Sequence, residues 1–244
     1  MYGVNHMDAK RGYVPEDDRN FSDSSIKILR TASKHIYYLI NEGYDIKQAS
    51  TFVGNHFMLS ERQRLALCRS ISSDKQLEER FNKEKYSIEG SEVWIDGFNT
   101  IITLEVLLSG SNLFEGMDGT IRDLAALRGT YKIIDETRIA VKILLDSLKE
   151  QGASKVHILL DEPVSNSGRL KTLIAEEGEK YLFDLDIQVL KEVDKELHTK
   201  ENVITSDSII LDHCKSWFNL MILCIKNRNP KLIRVWDIPS YDLF

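Results

Sequence analysis

The sequence predicts an α/β fold, a mainly parallel sheet flanked by helices, preceded by a small all-helical module. Three observations predict it. From residue 91 onward, short continuous apolar runs alternate with helical stretches, the pattern of strands covered on both faces and joined by crossover helices. Before residue 73, apolar residues recur at three- and four-residue spacing instead. Between these parts, 73–90 (SDKQLEERFNKEKYSIEG) is charge-dense and poor in apolar residues, which places a boundary at about 85–91. The division is a flexible leader over 1–23, a helical module over 24–88 and an α/β domain over 91–244.

In the module, 24–42 puts Ile26, Leu29, Ala32, Ile36, Leu39 and Ile40 on one helical stripe, with Gly43 as its stop. Asp45 caps a second helix over 46–56 with Ile46, Ala49, Phe52, Val53 and His56 inward; Gly54 weakens its last turn. Ser60 and Gln63 form a capping box for a third, about 61–72, that buries Leu65, Cys68 and Ile71. Three short helices with tight turns suggest a helix-turn-helix-like unit, in which Arg62, Arg64 and Arg69 either meet phosphates or form a solvated face. Leu77 and Phe81 dock a helical linker.

In the second part the apolar runs are 93–95, 156–160, 187–190, 203–205, 221–225 and 232–236, each read as a strand. Helices are expected over about 100–109, 136–151 and 168–178, with a shorter one starting near Ser208.

The chain has 244 residues, 42% hydrophobic and 29% charged, with 4 Pro and 13 Gly, which excludes collagen-like, disulfide-scaffold and largely disordered classes. No apolar run is long enough to span a membrane, and the polar start MYGVNHMDAKRG lacks a signal-peptide core. Cys68, Cys214 and Cys224 lack metal spacing and suit a reducing compartment, so a cytoplasmic location is expected. The net charge of −6 argues superficially against nucleic acid, but residues 1–90 carry +1 and residues 91–244 carry −7.

Several of those acids follow strands. Asp96 ends WID and precedes GFN, Asp161 and Glu162 end ILLDE, Asp207 follows VITS with Asp212 five residues on, and VDKE adds Asp194 and Glu196. Parallel strands present such ends on one edge, where ligands bind in open α/β sheets. Carboxylates gathered there repel unless a cation lies between them, and hard oxygen donors suit Mg²⁺ or Mn²⁺. Singly, Asp161 and Asp207 also fit helix N-caps. His157 reads as a buried, hydrogen-bonded residue of its strand. Cys214 and His213 are adjacent, so their side chains diverge on a helix and form no nucleophile–base pair. For an anionic substrate, Arg122, Arg128, Lys132 and Arg138 are spread over 122–138, and Asn166, Ser167 and Arg169 lie at a helix start whose N–H groups favour phosphate.

VWIDGFNTIITLE resembles the opening of the PIN/NYN nuclease superfamily, a Rossmannoid fold that begins with a strand followed by Asp, Gly, an aromatic and Asn. The resemblance implies a metal-ligand role for Asp96 and a steadying role for Asn99. VITSDSIILD is similar to a later strand of that superfamily, which maps metal-binding acids onto Asp207 and Asp212; VDKE places another at Asp194. Glu105, Asp118 and Asp123 compete for the middle acid, because the segment between Asn99 and Arg138 is long. The whole chain also resembles an uncharacterised prokaryotic family that couples a short helical module to such a domain, through INEGYDIKQASTFVGNHFMLSERQR, DGTIRDLAALRGTYK and LLDEPVSNSGRL.

The expected function is a divalent-metal-dependent endoribonuclease. Asp96, Asp161, Asp194 and Asp207 would be catalytic, Asp96, Asp161, Asp207 and Asp212 would hold metal, and Asn99, Arg128, Lys132, Asn166, Ser167 and Arg169 would hold substrate. Nucleic acid is the expected partner, RNA ahead of DNA. Two alternatives are a non-catalytic nucleic-acid-binding or regulatory protein and a metal-dependent phosphohydrolase. Neither a GxxxxGK[ST] nor a GxGxxG motif is present, which argues against a P-loop ATPase or Rossmann dehydrogenase.

Overall fold

A computed structural model of the chain describes residues 10–125, 129–226 and 228–238. It opens with α1 (Asp17–Asn20), α2 (Asp23–Asn41), α3 (Ile46–His56), α4 (Glu61–Ser70) and α5 (Asp74–Lys83). The caps are those the sequence sets: Asp45 accepts from the amides of Lys47 and Gln48, and Ser60 with Gln63 forms the capping box of α4. Leu29, Ala32 and Ile36 of α2 pack with Ala49, Val53, Ala66 and Leu67, and this cluster continues into Phe114, Leu124 and Val235 of the second part.

Three details of the helical region differ from the sequence reading. Residues 10–23 are not all leader: α1 docks through Asp17, which is buried and pairs with Arg62 at 2.6 Å. Phe52 and His56 point outward from α3, because Ala49, Ser50, Val53 and Gly54 already fill its inner face. The inner face of α4 is Ala66, Leu67 and Ser70, with Leu65 and Cys68 half-buried.

The second part runs β1 (Glu84–Lys85), β2 (Glu92–Asp96), α6 (Gly97–Leu108), β3 (Leu113–Glu115), β4 (Ile121–Arg122), α7 (Asp135–Glu150), β5 (Lys155–Asp161) and α8 (Ser167–Gly178). It continues with β6 (Asp184–Leu190), α9 (Val193–Leu197), β7 (Val203–Ile204), α10 (Ser208–His213), β8 (Trp217–Phe218), α11 (Leu220–Ile225) and β9 (Leu232–Ile233). Six strands form one sheet in the order β1-β8-β7-β2-β5-β6, and every pairing in it is parallel. Val93 and Ile95 of β2 and Val156, Ile158 and Leu160 of β5 join the larger core with residues of α6, α7 and α8. On the other face Leu159, Val203 and Trp217 pack with Val193 and Leu197 of α9 and Ile210 and Leu211 of α10.

Two apolar runs are placed differently from expectation. Residues 221–225 belong to α11, a helix. Burial of Leu220, Met221, Cys224 and Ile225 follows helical spacing, and a continuous apolar run does not itself distinguish a strand from a buried helix. Residues 232 and 233 form a strand, but in a separate three-stranded sheet of order β4-β3-β9. Among the described residues no helix is long and apolar enough to cross a membrane.

Candidate functional site at the carboxyl edge of the sheet

From β2 the chain passes to β5 and β6 on one side, then returns to β7 on the other. The order therefore reverses between β2 and β7, and ligand crevices in open parallel sheets form at such a switch point, at the carboxyl ends of the strands. Asp96 ends β2 at that position, and Thr205, Ser206 and Asp207 follow β7.

Each side chain there has a local cause. Asp96 is the N-cap of α6 and is buried; its carboxylate accepts from the amide of Asn99 at 3.4 Å and from Thr205 Oγ1 at 2.9 Å. Gly97 makes the turn possible: a Cβ there would lie 2.7 Å from the Leu159 carbonyl oxygen and 2.6 Å from the Leu160 side chain. One turn into α6, Asn99 Oδ1 accepts from the amide of Ser206 at 2.9 Å and from its hydroxyl at 3.0 Å. The Thr205 hydroxyl also accepts from the amide of Asp207 at 3.0 Å. Asp207 caps α10, accepting from Ile209 at 2.7 Å and Ile210 at 3.3 Å. Thus the end of β2 and the loop after β7 are tied side chain to backbone.

Electrostatically the site is uncompensated. Among the described residues Asp96 forms no salt bridge. Burial, followed by the charges of Asp207, Asp161 and Asp194, pushes its pKa up to about 8, against the opposing hydrogen bond from Thr205. Asp161 is raised by desolvation and by Asp194; Asp194 is raised by desolvation and by Asp207. These acids feel one another's charges across the sheet edge, as expected for strand ends in one layer. Among the described residues no group of three or more His, Cys, Asp or Glu is placed to hold one metal ion.

The other expected site residues are placed elsewhere. Asp212 faces away, toward α5, where Arg80 Nε donates to it at 2.7 Å and Gln76 Nε2 at 3.0 Å, so its carboxylate belongs to an inter-helix contact. None of the three middle-acid candidates reaches Asp96. Glu105 is fully buried and accepts from Arg11, Tyr131 and Thr137. Asp118 accepts from Arg80 and Arg122, each at 2.6 Å, and these guanidinium groups hold its carboxyl below the usual range despite burial. Asp123 accepts from Thr103 at 2.7 Å and from the amide of Ala125 at 2.8 Å.

Among the expected phosphate contacts, Arg128 lies outside the described residues. Arg122 is buried, and its Nε donates to the Ser206 carbonyl at 2.9 Å, which makes it a strut beneath the site loop. Asn166 has a left-handed backbone, φ 63°, and its Nδ2 donates to the Tyr131 carbonyl at 2.6 Å; it closes a loop. Ser167 and Arg169 begin α8, just beyond the end of β5, and Arg169 and Lys132 are exposed. Arg138 faces Glu176 and Glu177 on α8. The arginines of α4 are committed internally: Arg62 to Asp17 and the Leu124 carbonyl, Arg64 to the Leu59 carbonyl, Arg69 to the Asp123 carbonyl. His157 is buried between Asp186 at 3.0 Å and Glu92 at 2.6 Å and stacks on Trp94. His198 and His213 stack on each other.

Thr205 and Ser206 are the site residues that the sequence reading passed over, while Arg122, expected at a phosphate, supports their loop instead. The adjacent hydroxyls of TSD directly after a strand were their signal, since Ser and Thr side chains close such turns.

Residues 85–222 match a family model described as a domain of unknown function, DUF5616, and this match spans more than half of the chain. The chain belongs to that family. Residues 28–83 match a second model, a protein of unknown function, DUF434. MJ0935, an uncharacterized protein of Methanocaldococcus jannaschii, is 37% identical over 185 residues, which cover 75% of this chain and 88% of that protein. No solved structure matches. The DUF5616 segment contains the whole switch-point site, from Asp96 to Asp207.

Proposed function

We propose that this chain is a divalent-metal-dependent phosphodiester hydrolase that cuts RNA in preference to DNA, with the PIN/NYN-like arrangement that its strand–Asp–Gly–Phe–Asn opening resembles. The observation that carries the reading is Asp96, a buried acid at the switch point with its pKa raised to about 8 and three further carboxylates acting on it. Burying an acid among acids is costly unless a cation joins them.

The donor set fits Mg²⁺ or Mn²⁺: oxygen ligands only, and such ions keep several waters while using one or two carboxylates plus phosphate oxygens. Asp96, with Asp207 from the loop after β7, would hold the ion, two carboxylates being what such a site needs. When bound, it supplies Lewis acidity and a lowered pKa for water. The chain's own residues do the rest. The Thr205 hydroxyl fixes one oxygen of Asp96, and Asn99 holds the 205–207 loop in register. Asp194, with its raised pKa, is suited to take a proton at its carboxylate from the attacking water. Ser167, Arg169 and Lys132 would meet substrate phosphates.

The test is incubation of purified protein with labelled single-stranded and structured RNAs. Cleavage is expected with Mn²⁺ and not with EDTA, and it is expected to disappear in Asp96→Asn. Equal cleavage by wild type and Asp96→Asn overturns the reading.

A second reading has its own observation, the lack of three converging ligands among the described residues. A non-catalytic nucleic-acid-binding protein on this fold would show salt-sensitive RNA affinity, no turnover, and no loss on Asp96→Asn.

A further inference from the structure

We infer that the outer face of the α2–α3 hairpin binds a single-stranded polynucleotide, with bases stacked on Tyr38 and Phe52 and phosphates met by the lysines beside them. Tyr38 is 64% exposed and Phe52 is 72% exposed. They stand on either side of a groove floored by Leu39 and Val53 and rimmed by Lys34 and His35. On α2, Lys27, Thr31, Lys34 and Tyr38 follow one another at four-, three- and four-residue steps, so they form a single exposed stripe.

The charge of this face sets it apart. The chain carries −6 overall, yet after Asp23 neither α2 nor α3 contains an acid, the hairpin's two acids, Glu42 and Asp45, lying in the turn between them; the helices carry Lys27, Lys34 and Lys47, and Arg30, which donates to the Arg234 carbonyl. Lys34 lies 3.4 Å from Asp237, but both side chains are more than half exposed, and such a pair is easily exchanged for another anion. Aromatic faces beside cations are the chemistry of single-strand recognition, where rings accept any base and cations follow the backbone. A docked amphipathic helix would need a longer apolar trough, and the floor here is the half-buried Leu39 and the buried Val53. The helix expected to carry phosphate contacts, α4, has its three arginines turned into the protein, which leaves α2 and α3 as the cationic exposed face of the helical region.

This inference is independent of hydrolysis, and its test runs in EDTA. Fluorescein-labelled U12 and dT12 are titrated with full-length protein at several salt concentrations, alongside a duplex of the same length. The wild type is expected to bind the single strands, with log K falling linearly in log salt. Tyr38→Ala with Phe52→Ala is expected to weaken binding about tenfold or more. Lys27→Gln with Lys34→Gln is expected to reduce the salt slope by about 1.4, from two lost phosphate contacts on a single strand. All four side chains lie on the surface, and circular dichroism with a melting curve verifies that the variants fold. Absence of binding by the wild type overturns the inference, as does unchanged affinity after removal of both rings. Equal affinity for the duplex also overturns it. So does a ring-dependent dimer in sedimentation with unchanged oligonucleotide binding, which would assign the face to a second copy.

Discussion

Asp118 and Asp96 are both almost fully buried, and the protein treats their charges in opposite ways. Asp118 is enclosed by Arg80, Arg122 and Thr120, and its pKa is held below the ordinary carboxylate range. Asp96 receives one hydroxyl and one amide and has other acids for neighbours, so its pKa rises to about 8. Both acids depend on the loop after β7, because Arg122 supports the Ser206 carbonyl while Thr205 bonds Asp96. A charge that only holds structure is answered from within the chain. The unanswered one lies at the switch point of the sheet, the position where open parallel sheets form ligand crevices.

The contrast breaks most visibly on its compensated side. Arg80→Ala leaves Asp118 short of one guanidinium in the interior and is expected to cost about 3–5 kcal/mol in urea unfolding, since removing one member of a buried pair strands the other. Asp118→Asn in the same background should recover part of that loss.

On the other side, Asp96→Asn is expected to stabilise the protein without metal. The folded pKa of about 8 lies above the unfolded value of about 3.9, so the wild type binds the proton more tightly when folded. Its stability from this group is complete below about pH 4 and is lost as pH rises through about 8. The variant escapes that loss, and its advantage should grow steadily as pH rises from about 4 to about 8. Asp118 has the opposite sign: its contribution is present above about pH 3.9 and is lost as pH falls through its depressed value. Melting curves from pH 2 to 9 separate the two, because the Asp118 loss falls at the acid end and the Asp96 loss above about pH 4.

Smaller changes sharpen the comparison. Gly97→Ala drives a methyl group against the Leu159 carbonyl and is expected to cost about 1–3 kcal/mol, measured by denaturant midpoint. Thr205→Val removes the only side-chain hydroxyl bonded to Asp96 among the described residues. It should cost about 1 kcal/mol and move the Asp96 titration to higher pH, followed by NMR of the carboxyl carbon. Arg138→Gln, which removes an exposed partner of Glu176 and Glu177, is expected to leave the melting temperature unchanged.

Much of the frame was legible in the sequence because burial on both faces writes strands as unbroken apolar runs. The strands at 93–95, 156–160 and 187–190 stand at the centre and one edge of the sheet, and the acids that follow them locate its carboxyl edge. Strands of two residues, such as β1, β4 and β8, leave too little periodicity to read. The run at 221–225 carries the same apolar signal in a helix and a strand. The places of Asp96, Asp161 and Asp207 at strand ends and a helix start were legible from position alone, but their partners were not. Arg80 is one arginine in a charge-dense helix, and nothing local shows that it reaches residues 118 and 212. Asp212 was misassigned for that reason: its spacing after Asp207 is suggestive, and only the packing of α10 on α5 shows which way it faces.

The position of Arg80 has a consequence for how the molecule comes apart. It lies in the segment matching one family model, while the carboxylate it neutralises lies in the segment matching the other. Phe114, Leu124 and Val235 also complete the interior of the helical region. The seam near residue 84 is therefore a seam in the sequence and not in the unfolding reaction. Heat or denaturant should dismantle both segments in one cooperative transition, and a fragment cut at that seam would carry Asp118 into its interior with half of its countercharge missing.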